Sequence, residues 1–183
     1  MNIFDLGVQD SERSAAAALA ARLTKDPDLT DYTTTWTVRG APHLHRPADM
    51  PTLAARLWPL SDADATTRMS RPRGVTEGRA ALTAVAEALR KVVTKPMTKG
   101  EASGQITPLI PKELTAWCRG CDTTHVQDPI FRLAVLPAGL IFDTTQKTVT
   151  FKPMPKRQKI PTETKGFTDL LQAYLHLHGP AGP

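Results

Sequence analysis

Several groups of residues in this 183-residue chain carry side chains suited to chemistry or binding. Near the start, Gln9-Asp10 sets an amide that can orient water beside a carboxylate that can act as a base or stabilise a cationic centre. The same pair also fits a chain passing between two elements, with Gln9 ending one and Asp10 capping the next. Arg39, His43 and His45 share the run Arg39-Gly40-Ala41-Pro42-His43-Leu44-His45. In extended backbone the two histidines face one way. Arg39 can then hold a phosphate bidentately while a histidine reaches a ligand. The alternative is an Arg39 ion pair and a buried, hydrogen-bonded histidine. Cys118-Arg119-Gly120-Cys121 with His125 four residues on is a candidate zinc set, without an evident fourth ligand. Both thiols packed beneath a hairpin is the competing reading, and no thioredoxin-like pattern surrounds them. Lys99 and Gln105, with Lys152, Lys156, Arg157 and Lys159 further on, suit phosphate contact or a solvated charged face. Trp36, Trp58 and Trp117 are assigned to the core rather than to base stacking.

These groups need a scaffold. With 40% hydrophobic residues the chain can hold one ordinary domain or two small ones. The net charge of +5 and pI near 9.4 favour a polyanionic partner. Met1 to Leu6 shows no basic leader ahead of an apolar core, and no apolar run approaches the ~20 residues of a membrane span. Two closely spaced cysteines then read as reduced thiols or metal ligands, and the expected compartment is the cytoplasm.

Along the chain, the Ala-rich run from Ser11 to Leu23 predicts a helix, with Asp10 or Ser11 as cap and Glu12 in its first turn. Tyr32 to Val38 predicts an extended segment, and Gly40 and Pro42 forbid a long regular element after it. Helices are expected from Asp49 to Leu57, after Ser61, and from Gly78 to Val93 with Leu82, Val85, Ala86 and Leu89 on its apolar face. Arg68, Arg71 and Arg73 mark a basic loop. Thr98 and Glu101 have capping-box spacing, so a second helix runs from Thr98 to about Ile106 after a Pro-containing turn, which is helix-turn-helix grammar. A third helical piece is expected from Pro111 to Trp117. Ile130 to Phe142 and Thr148 to Phe151, separated by residues 143–147, predict a β-hairpin. Helices followed by a hairpin make a winged helix. Gly166 to His178 predicts a further helix, the opening of a second, truncated unit. The expectation is a mainly α fold with a small β-hairpin (α+β). Residues 1–75 form an N-terminal helical segment, 76–155 the winged helix, and 156–183 a linker and the truncated unit.

Gly7-Val8-Gln9-Asp10, the runs from Trp36 to Arg46 and from Leu57 to Asp64, and Thr98-Lys99-Gly100-Glu101 together resemble actinobacterial winged-helix DNA-binding proteins of the AlkZ/YcaQ-like DNA glycosylase family. The Arg-Gly-Ala-Pro-His run is the most specific part. The resemblance covers nearly the whole chain and implies the N-terminal portion of a longer protein, with further winged-helix units and a C-terminal β domain missing here. Active members remove alkylated or cross-linked purines by hydrolysing the N-glycosidic bond. Their signature is Gln, an apolar residue, then Gln or Asp, and the matching positions are Gly7-Val8-Gln9, where the first polar member is absent. The resemblance makes Gln9 and Asp10 the candidate catalytic pair and double-stranded DNA the partner. Candidate contacts are Arg39, His43, His45, Lys99, Gln105, Lys152, Lys156 and Arg157. A non-catalytic winged-helix regulator and a protein-interaction fragment remain the alternatives, and zinc is the one cofactor to consider.

Overall fold

The computed structural model describes residues 3–179 apart from 12, 13, 25 and 26. A short strand, β1 (Val8–Gln9), precedes helix α1 (Ala15–Ala20). The helix is thus shorter than predicted, and Glu12 lies outside the described residues. Asp10 does serve this helix, since its Oδ1 accepts the Ala15 N–H at 3.0 Å.

Strand β2 (Thr33–Trp36) occupies the expected extended segment. A single tight turn over Val38–Gly40, with Arg39 at φ 56° and Gly40 at φ 66°, then reverses the chain into β3 (Pro42–His45). The glycine and proline shape the turn without preventing a strand. β3 is the central strand of an antiparallel sheet in the order β1-β3-β2, pairing Gln9 with His43 on one side and Thr35 with His43 on the other.

Helices α2 (Met50–Arg56), α3 (Asp62–Arg68) and α4 (Gly78–Val92) follow, and α4 buries the expected face. Strand β4 (Met97–Thr98) leads into α5 (Lys99–Ile106). The capping box is formed: Glu101 N–H donates to Thr98 Oγ1, and the Glu101 carboxylate accepts the Thr98 N–H at 2.9 Å.

Two expectations fail after α5. Residues 111–117 do not make a helix; after one turn over Lys112–Leu114 they become β5 (Thr115–Cys118), paired with β6 (Thr123–Val126) in a two-stranded ribbon. The run from Ile130 is not a strand throughout. Asp128-Pro129 opens helix α6 (Asp128–Val135), because an acid suits the first turn and proline loses nothing there. Only β7 (Leu140–Phe142) is extended, and it pairs with β8 (Thr150–Pro153) in the predicted hairpin. β8 also pairs with β4, giving a second three-stranded sheet in the order β4-β8-β7. Helix α7 (Phe167–His178) forms where predicted, with Leu171, Tyr174 and Leu175 exposed. The fold is α+β, with three antiparallel sheets among the described residues rather than one hairpin.

One apolar cluster ties these parts together. Trp36 from the first sheet packs with Leu82, Val85 and Leu89 of α4, Ile106 of α5, Phe131 of α6, and Leu140 and Phe151 of the second sheet. Its ring meets Phe131, Phe142 and Phe151 edge-on at centroid distances of 5.3 to 6.2 Å. Trp58 is buried as expected, but Trp117 is 64% exposed on the ribbon. No helix among the described residues is long and apolar enough to cross a membrane.

Candidate functional site

Among the described residues β1 pairs on one side only, so Gln9 stands at an open sheet edge. Its Nε2 donates to Ser11 Oγ at 2.6 Å, and its amide oxygen accepts no hydrogen bond among the described residues. Asp10 is half-buried and lines a groove of about 510 Å³ between the first sheet and the β7–β8 hairpin. Leu44, Phe142 and Val149 give that groove apolar walls, while Thr30, Asp143 and Lys147 add polar groups.

Behind this edge lies Gly7, at φ 79°, which continues β1 opposite His45. A Cβ on residue 7 would come within 2.2 Å of His45 Cε1, so the imidazole fills the space a side chain there would take. A side chain at residue 7 and the buried His45 ring therefore exclude each other in this packing. His43 and His45 do face one way, with ring centroids 6.2 Å apart, but both are buried. His43 Nδ1 donates to the Ala41 carbonyl at 2.9 Å. Burial lowers its pKa against that bond, and Arg39 lowers it further. Burial, reinforced by His43 and opposed by Asp49, pushes His45 down to about 4, so both rings are neutral at physiological pH. Nε2 of His45 lies 3.3 Å from Thr37 Oγ1, whereas its Nδ1 has no partner among the described residues.

On the turn between β2 and β3, Arg39 is exposed in the left-handed region and makes no hydrogen bond or ion pair among the described residues. Such strain tends to be kept where a side chain must be aimed. Arg39 also lines a mostly apolar cavity of about 420 Å³ that reaches Arg56, Arg68, Leu133 and Tyr174.

Lys99 is tied inward. Its Nζ lies 2.5 Å from Asp128 Oδ1 and 5.6 Å from the Trp36 ring, and Arg132 bonds the other Asp128 oxygen at 2.6 Å with its guanidinium 4.8 Å from the same ring. Burial alone would raise the Asp128 carboxyl, but the two cations outweigh it and hold it below the usual range. This clamp fastens α6 to α5 and to the first sheet. Asp128 and Arg132 went unnoticed in the sequence, although Asp128-Pro129 is a helix-start signal and Arg132 follows one turn later.

Of the other expected contacts, Gln105 and Lys156 are exposed, and Lys152 is 3.8 Å from Asp143. Arg157 turns inward, donating to the Arg90 carbonyl at 2.7 Å and to that of Val93, and burial lowers its pKa. Cys118, Cys121 and His125 come together on the β5–β6 ribbon, with ligand atoms all within 4.8 Å of one another. The Cys118 thiol is drawn down to about 7 by the His125 side chain, helped by the N–H groups of Cys121 and Gly120. The Cys121 thiol is pushed up by Cys118. The His125 pKa is raised by the Val126 carbonyl and by Cys118.

The profile of the family described as DNA glycosylase AlkZ-like matches residues 6–183. Among solved structures, the DNA glycosylase AlkZ of Streptomyces sahachiroi superposes with a TM-score of 0.58 at 20% identity, over 98% of this chain and 51% of that one. The likeness at that identity is one of fold, and the chain spans about half the length of that structure. No curated protein matches. With a family profile that runs from Leu6 to the last residue, this chain belongs to the AlkZ-like DNA glycosylase family.

Proposed function

We propose that this chain is the part of a cytoplasmic, DNA-facing glycosylase that holds the hydrolytic edge, acting on alkylated or cross-linked purines in duplex DNA. In this reading Gln9 orients the attacking water through its amide oxygen. Asp10 supplies negative charge against the oxocarbenium-like sugar that forms as the base departs. The observation that carries it is the placing of Gln9 at an open sheet edge with its amide oxygen unused, next to Asp10 on the rim of a groove of about 510 Å³. Sites for small ligands and cofactors fall in that size class.

The order α4, β4, α5, α6, β7, β8 is read as a winged helix, with the β7–β8 hairpin as its wing. Its third helix, α6, has its Asp128–Arg132 face clamped against Trp36 and the Gly40 turn. DNA contact is therefore assigned to the exposed Arg39, Gln105 and Lys156, and to Lys152, half-exposed beside Asp143 at the long distance of 3.8 Å. His43, His45, Lys99 and Arg157 act by shaping the surface, since each is buried or bonded to neighbouring groups in the chain. Phosphate contact of this kind gives affinity that falls steeply with salt and little sequence preference.

The test is base release from alkylated duplex by the purified chain, scored as abasic sites, alongside binding measured at low and physiological salt. Wild type is expected to release base and Gln9→Ala to bind normally without doing so. Release that is unchanged in Gln9→Ala removes the catalytic assignment. A second reading, a non-catalytic winged-helix DNA-binding protein, is favoured by Gly7 at the first signature position with the His45 ring in its place. Salt-sensitive binding without base release from any alkylated duplex selects it, and binding indifferent to salt points instead to a protein-interaction role.

A further inference from the structure

We propose that Cys118, Cys121 and His125 form a binding site for a thiophilic divalent cation, zinc above all, made of two thiolates and one imidazole with a fourth position open. The site is independent of the glycosylase reading.

Topology brings the ligands together. Cys118 ends β5 and His125 lies on β6 opposite Ala116, so Cys118 and His125 share one face of the ribbon. Cys121 sits in the connecting turn, where its N–H donates to the Cys118 carbonyl at 3.2 Å and Asp122 takes a left-handed φ of 50°. This tight turn folds Cys121 back toward Cys118, and both cysteines are free thiols. Tetrahedral zinc, with bonds of ~2.3 Å to sulfur and ~2.0–2.1 Å to nitrogen, holds such atoms roughly 3.5–4 Å apart. The observed limit of 4.8 Å thus calls for a contraction of about 1 Å, well within reach of a turn whose residues 119–122 are all exposed.

The second observation concerns the histidine. Its Nδ1 is 2.7 Å from the Val126 carbonyl, and because a carbonyl only accepts, Nδ1 carries the proton; in the neutral ring Nε2 then keeps the lone pair, which a metal would take in place of the ring's hydrogen bond to Cys118. Metal-bound histidines are oriented in this way, by a hydrogen bond from the nitrogen that does not ligate. Two sulfurs and an imidazole select zinc over the hard cations magnesium and calcium.

The ribbon also has a use for an ion. Two-stranded ribbons are marginal alone. This one leaves Ala116 and Trp117 exposed, and is held to the body through Leu114, Val126 and the bond from Val126 N–H to Thr107 Oγ1 at 3.1 Å. A metal joining β5, its turn and β6 would staple the end farthest from that anchor.

Cobalt(II) titrated anaerobically into the reduced, metal-free full chain is expected to bind one to one. It should give a sulfur-to-metal charge-transfer band and the intense visible bands of a tetrahedral ion, both erased by added zinc. Zinc should also slow amide exchange across residues 115–126. The double variant Cys118→Ser/Cys121→Ser, checked for native circular dichroism, should lose the charge-transfer band. His125→Gln should keep that band and weaken binding by at least about a hundredfold, since even outer partners of a ligand are worth roughly 10–100-fold. A folded wild type that binds no cobalt, a weak octahedral spectrum, or equal affinity in the double serine variant overturns the proposal.

Discussion

The two three-stranded sheets share a size and an antiparallel plan but have opposite interiors. The β4-β8-β7 sheet buries Met97, Leu140 and Phe151, with Thr150 its buried polar side chain. The β1-β3-β2 sheet and its turn bury Thr34, Thr35, Thr37, His43 and His45 beside Leu44 and Trp36. A hydrocarbon interior is specified by volume, and many sequences fill it. A polar interior must satisfy each donor and acceptor, and an orphan costs about 1–3 kcal/mol. The polar sheet also carries Gln9 and Asp10 on its edge. Expensive packing, in which His45 Nδ1 is left without a partner among the described residues, therefore lies directly behind the residues proposed to do chemistry, while the apolar sheet supplies bulk stability.

The largest expected effect comes from the apolar side. Phe151 is fully buried among Trp36, Phe131 and Phe142. Phe151→Ala should cost roughly 3–5 kcal/mol through lost burial and the cavity left behind. Urea denaturation checks this, with a marginal fold by circular dichroism as the expected state of the variant. A loss below ~1 kcal/mol would mean that the aromatic cluster is not the central support.

Next comes the junction of Gly7 and His45. Gly7→Ala adds a Cβ at 2.2 Å from the imidazole and forces alanine into φ 79°. Overpacking and backbone strain together should cost roughly 2–4 kcal/mol. The double variant Gly7→Ala/His45→Ala removes the clash but not the strain. It should be more stable than the sum of the two single losses allows, by about 1 kcal/mol or more in a denaturation cycle. Simple additivity would separate the two positions and undo the link between Gly7 and the buried ring.

How much of this was legible in the sequence differs between the two sheets. The capping box of Thr98 and Glu101 and the apolar face of Gly78–Val92 followed from spacing alone, because each carries its signal within a few neighbouring residues, whereas the β7–β8 hairpin lies where expected but with a first strand shorter than expected. β1 is two residues long and β3 begins at a proline, so neither shows a period, and both exist only through pairing with each other and with β2. A helix is expected over residues 111–117, yet after one turn the partner strand Thr123–Val126 draws Thr115, Ala116 and Trp117 into the ribbon. The apolar run after Asp128 resembles a strand until the proline behind the acid is given its weight as a helix start. The histidines were seen to face one way, but their burial is a tertiary fact, set by Gly7 making room and by β2 closing the other side. The three zinc-site residues were picked out in the sequence, whereas the ribbon that gathers them was not.

A smaller effect separates the sheets by pH. The His45 pKa falls from 6.5 unfolded to about 4 in the fold, so the unfolded chain binds the extra proton between those values. The contribution of the neutral ring is fully present above pH ~6.5 and is lost as pH falls toward ~4, by at most about 3.5 kcal/mol. Melting temperature should therefore drop on acidification across that window. His45→Gln should flatten the profile there while lowering the neutral-pH plateau. An unchanged slope in His45→Gln would move the acid sensitivity to another group, the first candidate being His43, whose pKa is also lowered by burial.

The smallest effect tests whether the two interiors depend on each other. Thr35 Oγ1 donates to the Leu140 carbonyl at 3.0 Å, a buried bond across the boundary between β2 and β7. Thr35→Val keeps the shape, removes the donor and leaves that carbonyl one partner short, which should cost about 1–2 kcal/mol. Thr35→Ser keeps the donor and gives up one methyl group, about 1 kcal/mol. The informative quantity is where the loss is felt. If the hydroxyl joins the sheets, Thr35→Val should raise amide exchange in both β2 and β7, whereas Thr35→Ser should leave β7 protected. Exchange confined to β2 in both variants would mean that Trp36 and its aromatic neighbours hold the sheets together without help from the polar side. The proposed catalytic edge would then rest on the apolar core through Trp36 and the Arg132 clamp beside it.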